Sequence, residues 1–386
     1  MKRRFPIAAA VAVLCGLLGG CGQEGGSVPE PASSAPDRTD GRTQTTTGAA
    51  APERKESMRV VIIGDSNTEY GHITGALAAL LEESCGYGGT GFVTFSAKSA
   101  QPKTDRLTLN IGTWESGDVT TEDNWWGTEQ IDAPFGLNVT SAEPGAVLSA
   151  NFRDPGFSLY YLMQPGGGKL RLTLNGKEIA VLDTGATSKY TAKYTYTGGK
   201  DGSLNRLKIR LESGTATLFG METLAAEPGG GTVHNWGNAG ANSQHFYHGD
   251  KTIFETALAA MEPTHVVYLI GTNDGVDNAA FKTALVEQMN RIKEAAPAAK
   301  ALLASTFDID YENTKELMKE YLAHAYPEAA AEAGTAYWDM HAFFGPYNPE
   351  QMQDGWHCNA AGGEKIAGEL LKQLLPLSSC ATAAGE

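Results

Sequence analysis

Cysteine, basic residues and long apolar runs are all scarce in this chain of 386 residues. There are five cysteines and no CxxC pair, so the spacing suits no zinc site and we expect no metal. Lysine and arginine number 30 against 45 aspartates and glutamates, giving a formal net charge of -15. Such an acidic chain is a poor candidate for binding nucleic acid. No segment is apolar for long enough to span a membrane.

The N-terminus has the features of a secretory signal. A positive group at residues 2–4 precedes a short apolar stretch from Ile7 to Leu18, and small residues then lead to Cys21. The Leu-x-x-Cys ending resembles a bacterial lipobox, which implies a lipoprotein signal peptide over residues 1–20 and lipidation of Cys21. The alternative is an ordinary signal peptide with an incidental cysteine.

Residues 21–57 contain almost nothing apolar, and such a segment cannot bury enough surface to fold. We predict a disordered tether between a membrane and the folded part. Loss of the three positive charges at residues 2–4 would take the net charge from -15 to -18. The predicted location is extracytoplasmic and membrane-anchored, periplasmic or at the cell surface.

Residues 58–98 and 232–380 alternate between apolar runs and helical periodicity. Continuous apolar runs are typical of parallel strands that are buried on both faces. Five such strands separated by helices predict an α/β fold with a parallel sheet covered on both sides. The predicted strands are Arg59–Ile63, Thr232–Trp236, Thr264–Ile270, Ala301–Ala304 and Thr335–Trp338. Helices are predicted at Asn278–Ala296 and at Lys315–Ala333, the second with a break at Pro327.

Residues 99–231 interrupt this alternation with short strand-like runs about every ten residues. Leu170, Leu172 and Leu174 alternate with polar residues, and Gly and Asp-Gly turns separate the runs. The runs include Val147–Phe152 and Tyr190–Tyr196. This pattern predicts an antiparallel β-sandwich inserted into the α/β domain.

Four short motifs lie along the chain in one order: Gly64-Asp65-Ser66-Asn67, Asn238-Ala239-Gly240, Gly271-Thr272-Asn273-Asp274 and Asp354-Gly355-Trp356-His357. Ser66 follows the first strand and precedes a helix, where a hydroxyl nucleophile would be exposed. His357 is the candidate base, and Asp354 is close enough to orient its ring. Gly240 and Asn273 can supply N–H groups to an oxyanion. The set predicts transfer of an acyl group from an ester to water.

Each motif also has an ordinary structural explanation. Ser66 could simply be the N-cap of its helix, and Asn273 could form an Asx-turn. Gly240 could belong to a flexible loop. Asp354 and His357 could be a surface pair, and seven other histidines compete for the role of base.

The four motifs in this order resemble those of the SGNH (GDSL-type) hydrolases. The resemblance implies a flavodoxin-like five-stranded sheet and a triad of Ser66, His357 and Asp354. It also implies an oxyanion hole made by the N–H groups of Ser66 and Gly240 and the amide of Asn273, without metal or other cofactor.

A glycine-rich stretch at residues 86–91 and the inserted β domain resemble the bacterial peptidoglycan O-acetylesterases of this superfamily, whose insert is carbohydrate-binding-like. Asn67 is a departure, since histidine often follows the serine in that group. Trp125 and Trp126 are adjacent and cannot both face one core from a strand, so one of the two is the best candidate for a sugar contact. The alternative is that the aromatic residues of the insert form its core.

The flavodoxin-like topology also implies a disulfide. Its first and last helices pack on one face and run in the same direction, so Cys85 and Cys380 would both lie at the edge away from Ser66. Cys358 would lie at the opposite edge, beside His357, and would stay unpaired.

The leading hypothesis is a serine esterase that removes O-acetyl groups from a cell-envelope polysaccharide, with peptidoglycan as the first choice. A general GDSL-type esterase or lipase, an acetyltransferase and a non-catalytic polysaccharide-binding lipoprotein remain alternatives.

Overall fold

A computed structural model of the protein describes residues 57–99, 101, 106–310 and 312–374. Within these ranges the strands, in chain order, are β1 (Met58–Gly64), β2 (Gly91–Thr94), β3 (Leu107–Asn110), β4 (Glu115–Asp118), β5 (Leu137–Ser141), β6 (Val147–Phe152), β7 (Gly156–Met163), β8 (Lys169–Leu174), β9 (Lys177–Asp183), β10 (Tyr190–Tyr196), β11 (Asn205–Ser213), β12 (Ala216–Leu224), β13 (Gly231–Gly237), β14 (His265–Leu269), β15 (Lys300–Ala304) and β16 (Ala336–Trp338).

The α-helices of the described residues lie mostly in the second half of the chain. In chain order they are α1 (Ser66–Glu69), α2 (His72–Cys85), α3 (Ser243–His248), α4 (Lys251–Met261), α5 (Asn278–Ala295), α6 (Glu312–Glu320), α7 (Tyr326–Ala333), α8 (Met340–Phe344) and α9 (Ala360–Leu374). None of these helices is both long and apolar enough to cross a membrane.

One sheet has five parallel strands in the order β13-β1-β14-β15-β16. Every residue of β1 is buried. Val61 and Ile63 belong to one apolar cluster, and Val60 and Ile62 belong to another on the opposite face. A strand with both faces covered has no polar side, which explains its continuous apolar run. The predicted parallel sheet, in flavodoxin-like order, is confirmed.

Helices cover this sheet on both sides. On one face α2 packs against α9 through Leu77, Leu81 and Leu370. On the other face α4, α5 and α7 contribute buried residues that include Phe254 and Phe281. Cys85 ends α2 as expected. Cys380 lies outside the described residues, so the predicted Cys85–Cys380 bridge stays a prediction.

Two antiparallel sheets lie between α2 and β13 in sequence. One has the order β10-β7-β12-β5-β4, with β2 also paired to β12, and the other has the order β3-β6-β11-β8-β9. A single apolar cluster joins side chains of both sheets, including Leu159 and Leu218 from the first and Leu172 and Ile209 from the second. This is the packing of a sandwich, and the predicted extra β domain is confirmed. Because β2 pairs with β12, the first sheet also takes in residues before position 99.

A buried ion pair connects the parallel sheet to the insert. Nη2 of Arg59 in β1 lies 3.0 Å from Oε2 of Glu222 in β12. The hydroxyl of Tyr160 donates to Oε1 of the same carboxylate at 2.7 Å. Burial by itself raises the pKa of Glu222, but Arg59 and His234 more than offset burial and lower the pKa to about 2. The carboxylate therefore stays charged and joins the two sheets.

The helical segment predicted at Lys315–Ala333 is interrupted, but not at Pro327. A π-helical turn over Tyr321–Ala325 lies between α6 and α7, and Pro327 lies in the first turn of α7. Proline is tolerated there because the first N–H groups of a helix have no intrahelical acceptor. The helix is therefore interrupted before Pro327 rather than at it.

Candidate active site

Ser66 lies at a tight turn where β1 passes into α1. Asp65 caps the helix, and its Oδ1 accepts the N–H of Asn67 at 2.9 Å. Ser66 is therefore not the cap but the first helical residue, which leaves its hydroxyl available for other contacts. A Cβ on Gly64 would lie 2.3 Å from Oγ1 of Thr68 and 2.4 Å from the carbonyl oxygen of Leu269. The close turn requires glycine before Asp65.

The three predicted triad residues form one hydrogen-bond chain. Nε2 of His357 lies 2.9 Å from Oγ of Ser66, and Nδ1 lies 2.8 Å from Oδ2 of Asp354. The carboxylate can only accept, so the ring carries its proton on Nδ1 and Nε2 accepts the serine hydroxyl. This is the protonation state that a general base needs.

Asp354 is held by its own loop. Its Oδ1 accepts the N–H groups of Trp356 at 2.7 Å and His357 at 2.8 Å. Partial burial tends to raise the pKa of Asp354, but the bonds from the His357 ring and these N–H groups lower the pKa below its ordinary value. The carboxylate is ionised at neutral pH and can stabilise a charged imidazole ring.

Asn67 connects the nucleophile helix to the loop that carries His357. Its Nδ2 donates to the carbonyl oxygen of Trp356 at 3.3 Å, and its Oδ1 accepts the N–H of Cys358 at 3.2 Å. The bonds hold the peptide groups on both sides of His357. In the sequence Asn67 stands out only as a departure from a family pattern. Its position directly after Ser66 was the available signal.

The loop after β13 brings Gly240 to the same edge of the sheet. The N–H of Asn238 donates to the carbonyl oxygen of Gly64 at 3.1 Å, and the N–H of Ala239 donates to Oε2 of Glu69 at 2.7 Å. Gly240 has φ +84°, and its N–H makes no hydrogen bond to any described residue. The contacts of Asn238 and Ala239 tie this loop to the turn and helix around Ser66, so the N–H of Gly240 is an unbonded donor at the same edge of the sheet as the serine.

Asn273 and Asp274 follow β14 and hold the other side of that loop. Nδ2 of Asn273 donates to the carbonyl oxygen of Ala241 at 3.0 Å, which leaves a second amide hydrogen for another acceptor. The carboxylate of Asp274 accepts the N–H of Ser243 at 3.0 Å. Burial raises the pKa of Asp274 to about 7, although the bonds from Ser243 oppose this shift. These bonds connect the loop after β14, which carries Asn273, to the loop that carries Gly240.

Trp125 and Trp126 lie in the insert and follow a 3₁₀ turn rather than occupying a strand. Trp125 is 43% exposed and Trp126 is 55% exposed. The side chain of Asn242 donates to the carbonyl oxygen of Trp125 at 2.8 Å, which places the pair next to the Gly240 loop. Of the other aromatic residues of the insert, Tyr160 and Trp114 are buried in the cores, whereas Tyr190 and Tyr196 are only partly buried.

The arrangement can attack an electrophilic carbonyl and bind the resulting oxyanion. No group of three or more His, Cys, Asp or Glu residues in the described ranges could hold a metal ion. The predicted lipidation site Cys21 and the tether lie outside these ranges.

The comparisons with known proteins agree with this chemistry. Residues 198–365 match the model of the GDSL-like lipase/acylhydrolase family. The matched range contains Gly240, Asn273, Asp354 and His357 but not Ser66, which the insert separates from the rest. None of the curated proteins matches the chain.

Among solved structures, one described as a peptidoglycan O-acetylesterase in action superposes with a TM-score of 0.62 at 20% identity, covering 85% of this chain and 93% of the other. A family two carbohydrate esterase from Clostridium thermocellum in complex with cellohexaose gives 0.32 at 14% identity, covering 70% and 99%. A putative GDSL-like lipase from Parabacteroides merdae gives 0.32 at 18% identity, covering 37% and 72%. The family match over residues 198–365 and the fold shared with the first of these structures indicate a GDSL-type (SGNH) hydrolase fold with an additional β domain.

Proposed function

We propose that this hydrolase domain is a serine esterase that removes O-acetyl groups from a cell-envelope polysaccharide, with peptidoglycan as the substrate. The observation that carries the proposal is the continuous chain from Oγ of Ser66 through His357 to Asp354, with contacts of 2.9 Å and 2.8 Å. A serine that merely packs against a histidine would need no carboxylate behind the ring.

In the proposed reaction His357 takes the proton of Ser66 as the serine oxygen attacks the acetyl carbonyl carbon. The N–H groups of Ser66 and Gly240 and the amide of Asn273 stabilise the negative oxygen of the tetrahedral intermediate. The sugar hydroxyl leaves with the proton from His357. Water then attacks the acetyl-serine, again with His357 as base, and acetate is released.

The side chain of Asn273 is already oriented for its role in this mechanism. One amide hydrogen of Asn273 is already bonded to the carbonyl oxygen of Ala241. That bond holds the side chain in one orientation, so the second hydrogen can point at the oxyanion without reorganisation. Donors that are already oriented stabilise developing charge most effectively.

The choice of an acetylated envelope polysaccharide is supported by three observations. The chain shares its fold over 85% of its length with the peptidoglycan O-acetylesterase structure. The N-terminal sequence has the pattern of a lipoprotein signal followed by a tether, and the proposed lipidation of Cys21 would anchor the enzyme to a membrane outside the cytoplasm. Two exposed tryptophans lie beside the site. Fatty-acid labelling that persists in a Cys21→Ser protein would contradict the anchor.

The central test is Ser66→Ala, with acetate release from O-acetylated peptidoglycan as the readout. We expect kcat/KM to fall by at least about 10³-fold, since the nucleophile is removed. Ser158→Ala is the matched control, because Ser158 is a buried serine of β7 that hydrogen-bonds Thr195 far along the insert. Substantial activity in Ser66→Ala would refute the proposal.

Substrate preference is tested on the wild-type protein. Acetate release from O-acetylated peptidoglycan is compared with release from acetylated xylan, and acetyl esters are compared with octanoyl esters. We expect peptidoglycan and acetyl esters to be preferred. Preference for octanoyl esters would instead indicate a lipase, and transfer of acetyl to a sugar acceptor would indicate an acetyltransferase.

A further inference from the structure

The two exposed tryptophans are unusual for the surface of this protein. Among the described residues only five large apolar side chains are exposed, and Trp125 and Trp126 are the aromatic ones. The other three, Val147, Val181 and Leu204, are scattered along the chain. Adjacent exposed indoles offer flat apolar surface to solvent, which is characteristic of a binding surface.

The loop that carries them, residues 119–130, is held by a buried asparagine. Nδ2 of Asn124 donates to the carbonyl oxygens of Val119 at 2.9 Å and Glu129 at 2.6 Å. Oδ1 of Asn124 accepts the N–H of Glu129 at 2.8 Å. These bonds close the loop across its base. The indoles are therefore presented by an ordered loop.

The same loop is attached to α3, which follows Gly240. Nδ1 of His245 accepts the N–H of Asn242 at 3.2 Å, so its proton is on Nε2, which donates to the carbonyl oxygen of Asn124 at 2.9 Å. Burial lowers the pKa of His245, which favours this neutral ring. A Cβ on Gly127 would lie 2.7 Å from the N–H nitrogen of His245, so the two backbones are in close contact.

Two more contacts place the loop on either side of Gly240. Oγ1 of Thr120 donates to the carbonyl oxygen of Ala239 at 2.9 Å, and Asn242 donates to the carbonyl oxygen of Trp125. The Trp125 ring also reaches the Asn273 side of the site, because a Cβ on Gly275 would lie 3.9 Å from its Nε1. Trp125 thus borders the groups that would bind the oxyanion, and Trp126 follows it on the more exposed side.

We infer that Trp125 and Trp126 form a saccharide subsite that binds a pyranose ring of the glycan next to the ester being cleaved. The apolar C–H face of a pyranose ring matches the indole surface, and a ring held there would keep the acetyl group at Ser66. The inference rests on the proposed esterase function and adds the source of its sugar specificity: the inserted domain supplies the sugar contact, and the parallel sheet supplies the chemistry.

The test compares two esters in the full-length protein. O-acetylated glycan strands carry the sugar, whereas ethyl acetate has a leaving group with no ring to stack. For Trp125→Ala we expect KM for the glycan to rise about five- to tenfold, with a smaller rise for Trp126→Ala. The kcat/KM for ethyl acetate should stay within about twofold. Trp125→Phe keeps an aromatic face and should recover most of the glycan KM.

Val181→Ala is the control for losing an exposed apolar side chain elsewhere on the insert, and it should leave both esters unaffected. Circular dichroism and thermal unfolding of each variant check the fold. If the Trp125→Ala protein loses activity on ethyl acetate as severely as on the glycan, the loop only supports the Gly240 loop and the inference is wrong. It is also wrong if the glycan KM does not change.

A second measurement separates this inference from the proposed function. Chitotetraose, which has no O-acetyl ester, is titrated into Ser66→Ala protein while intrinsic tryptophan fluorescence is recorded. We expect saturable quenching whose Kd rises about five- to tenfold in Trp125→Ala. An unchanged Kd in Trp125→Ala excludes the subsite, whereas wild-type protein that binds chitotetraose but cleaves no ester would overturn the function alone.

Discussion

The parallel sheet and the inserted sandwich contribute to this protein in different ways. All the candidate catalytic and oxyanion groups follow strands of the parallel sheet or precede its last helix: Ser66, Gly240, Asn273, Asp354 and His357. The insert contributes the loop at 119–130, which contacts the Gly240 loop on both sides. Strands of a parallel sheet all end at one edge, so loops distant in sequence converge there, whereas antiparallel strands end alternately at both edges.

The two regions also differ in how burial shapes their sequences. In β1 every side chain is buried, and the sequence is a continuous apolar run. In β11 buried Leu207, Ile209 and Leu211 alternate with exposed Lys208 and Arg210. One face of that strand packs in the sandwich and the other meets solvent. The following predictions test whether the parallel sheet supplies the catalytic groups while the insert only supports them.

The largest expected effect is on the acid that orients His357. Asp354→Asn removes the charge that holds Nδ1 protonated and stabilises the imidazolium, so kcat for acetyl ester hydrolysis should fall by about 10⁴-fold. The control is Asp132→Asn in the insert, which loses only an exposed pair with Lys189. Near-normal kcat in Asp354→Asn would remove this carboxylate from the mechanism.

The next effect concerns the ion pair that joins the two regions. Glu222→Gln leaves Arg59 buried without its counter-charge, which should lower the free energy of unfolding by about 3–5 kcal/mol in urea denaturation. Glu178→Gln, which breaks an exposed pair with Arg171 inside the insert, should change it little. If the two substitutions lowered the free energy of unfolding equally, the buried pair would stabilise the fold no more than the exposed one.

The pH dependence of this stability follows from the pKa of Glu222. The pKa is lowered in the folded protein to about 2, below the ordinary value of 4.5. The stabilisation is therefore complete above pH 4.5 and is lost as the pH falls toward 2. The difference in unfolding free energy between wild type and Glu222→Gln should narrow over that window, and a constant difference would contradict the assignment.

A smaller loss is expected at the oxyanion. Asn273→Ala removes one donor and should lower kcat by about 10²–10³-fold with KM nearly unchanged, because the donor acts on charge that develops in the transition state. Asn151→Ala in the insert, where the side chain bonds Thr108, is the control. A change confined to KM would mean that Asn273 binds substrate rather than the oxyanion.

The smallest effect concerns Asn67, which positions the His357 loop. Asn67→Ala breaks both bonds to the peptides around His357 and should lower kcat about 10- to 100-fold, since small displacements of reacting groups are costly. Asn205→Ala removes a buried asparagine of the insert that bonds the carbonyl oxygens of Lys200 and Asp154. The two variants should lose stability alike while Asn205→Ala keeps its kcat. Equal kcat values would make Asn67 purely structural.

Much of the fold could be predicted because local patterns specify it. The five parallel strands and the helix at Asn278–Ala295 lie within a residue or two of their expected bounds, and β6 and β10 match theirs. The π-helical turn before Pro327 was not predicted, and α3, α4 and α8 were not assigned. Short helices and irregular turns depend on capping and packing partners that a periodic pattern does not reveal.

The residues of the site likewise divide into those that the sequence indicated and those that it did not. The four motifs indicated Ser66, Gly240, Asn273, Asp354 and His357, because each combines a reactive or donor group with a strand end. The supporting contacts of Asn67, Glu69 and Thr120 were not predicted, since their partners lie far away in sequence.

By itself the sequence determined the five parallel strands, that an antiparallel domain is inserted, and which residue types are available for acyl transfer. Apolar periodicity and glycine turns act over a few residues, so they can be read locally. Only the tertiary structure decided that a segment of the insert borders the Gly240 loop and that Asn67 holds the His357 loop. Such contacts depend on distances between loops separated by 100 residues or more, and those distances are set by how whole layers pack.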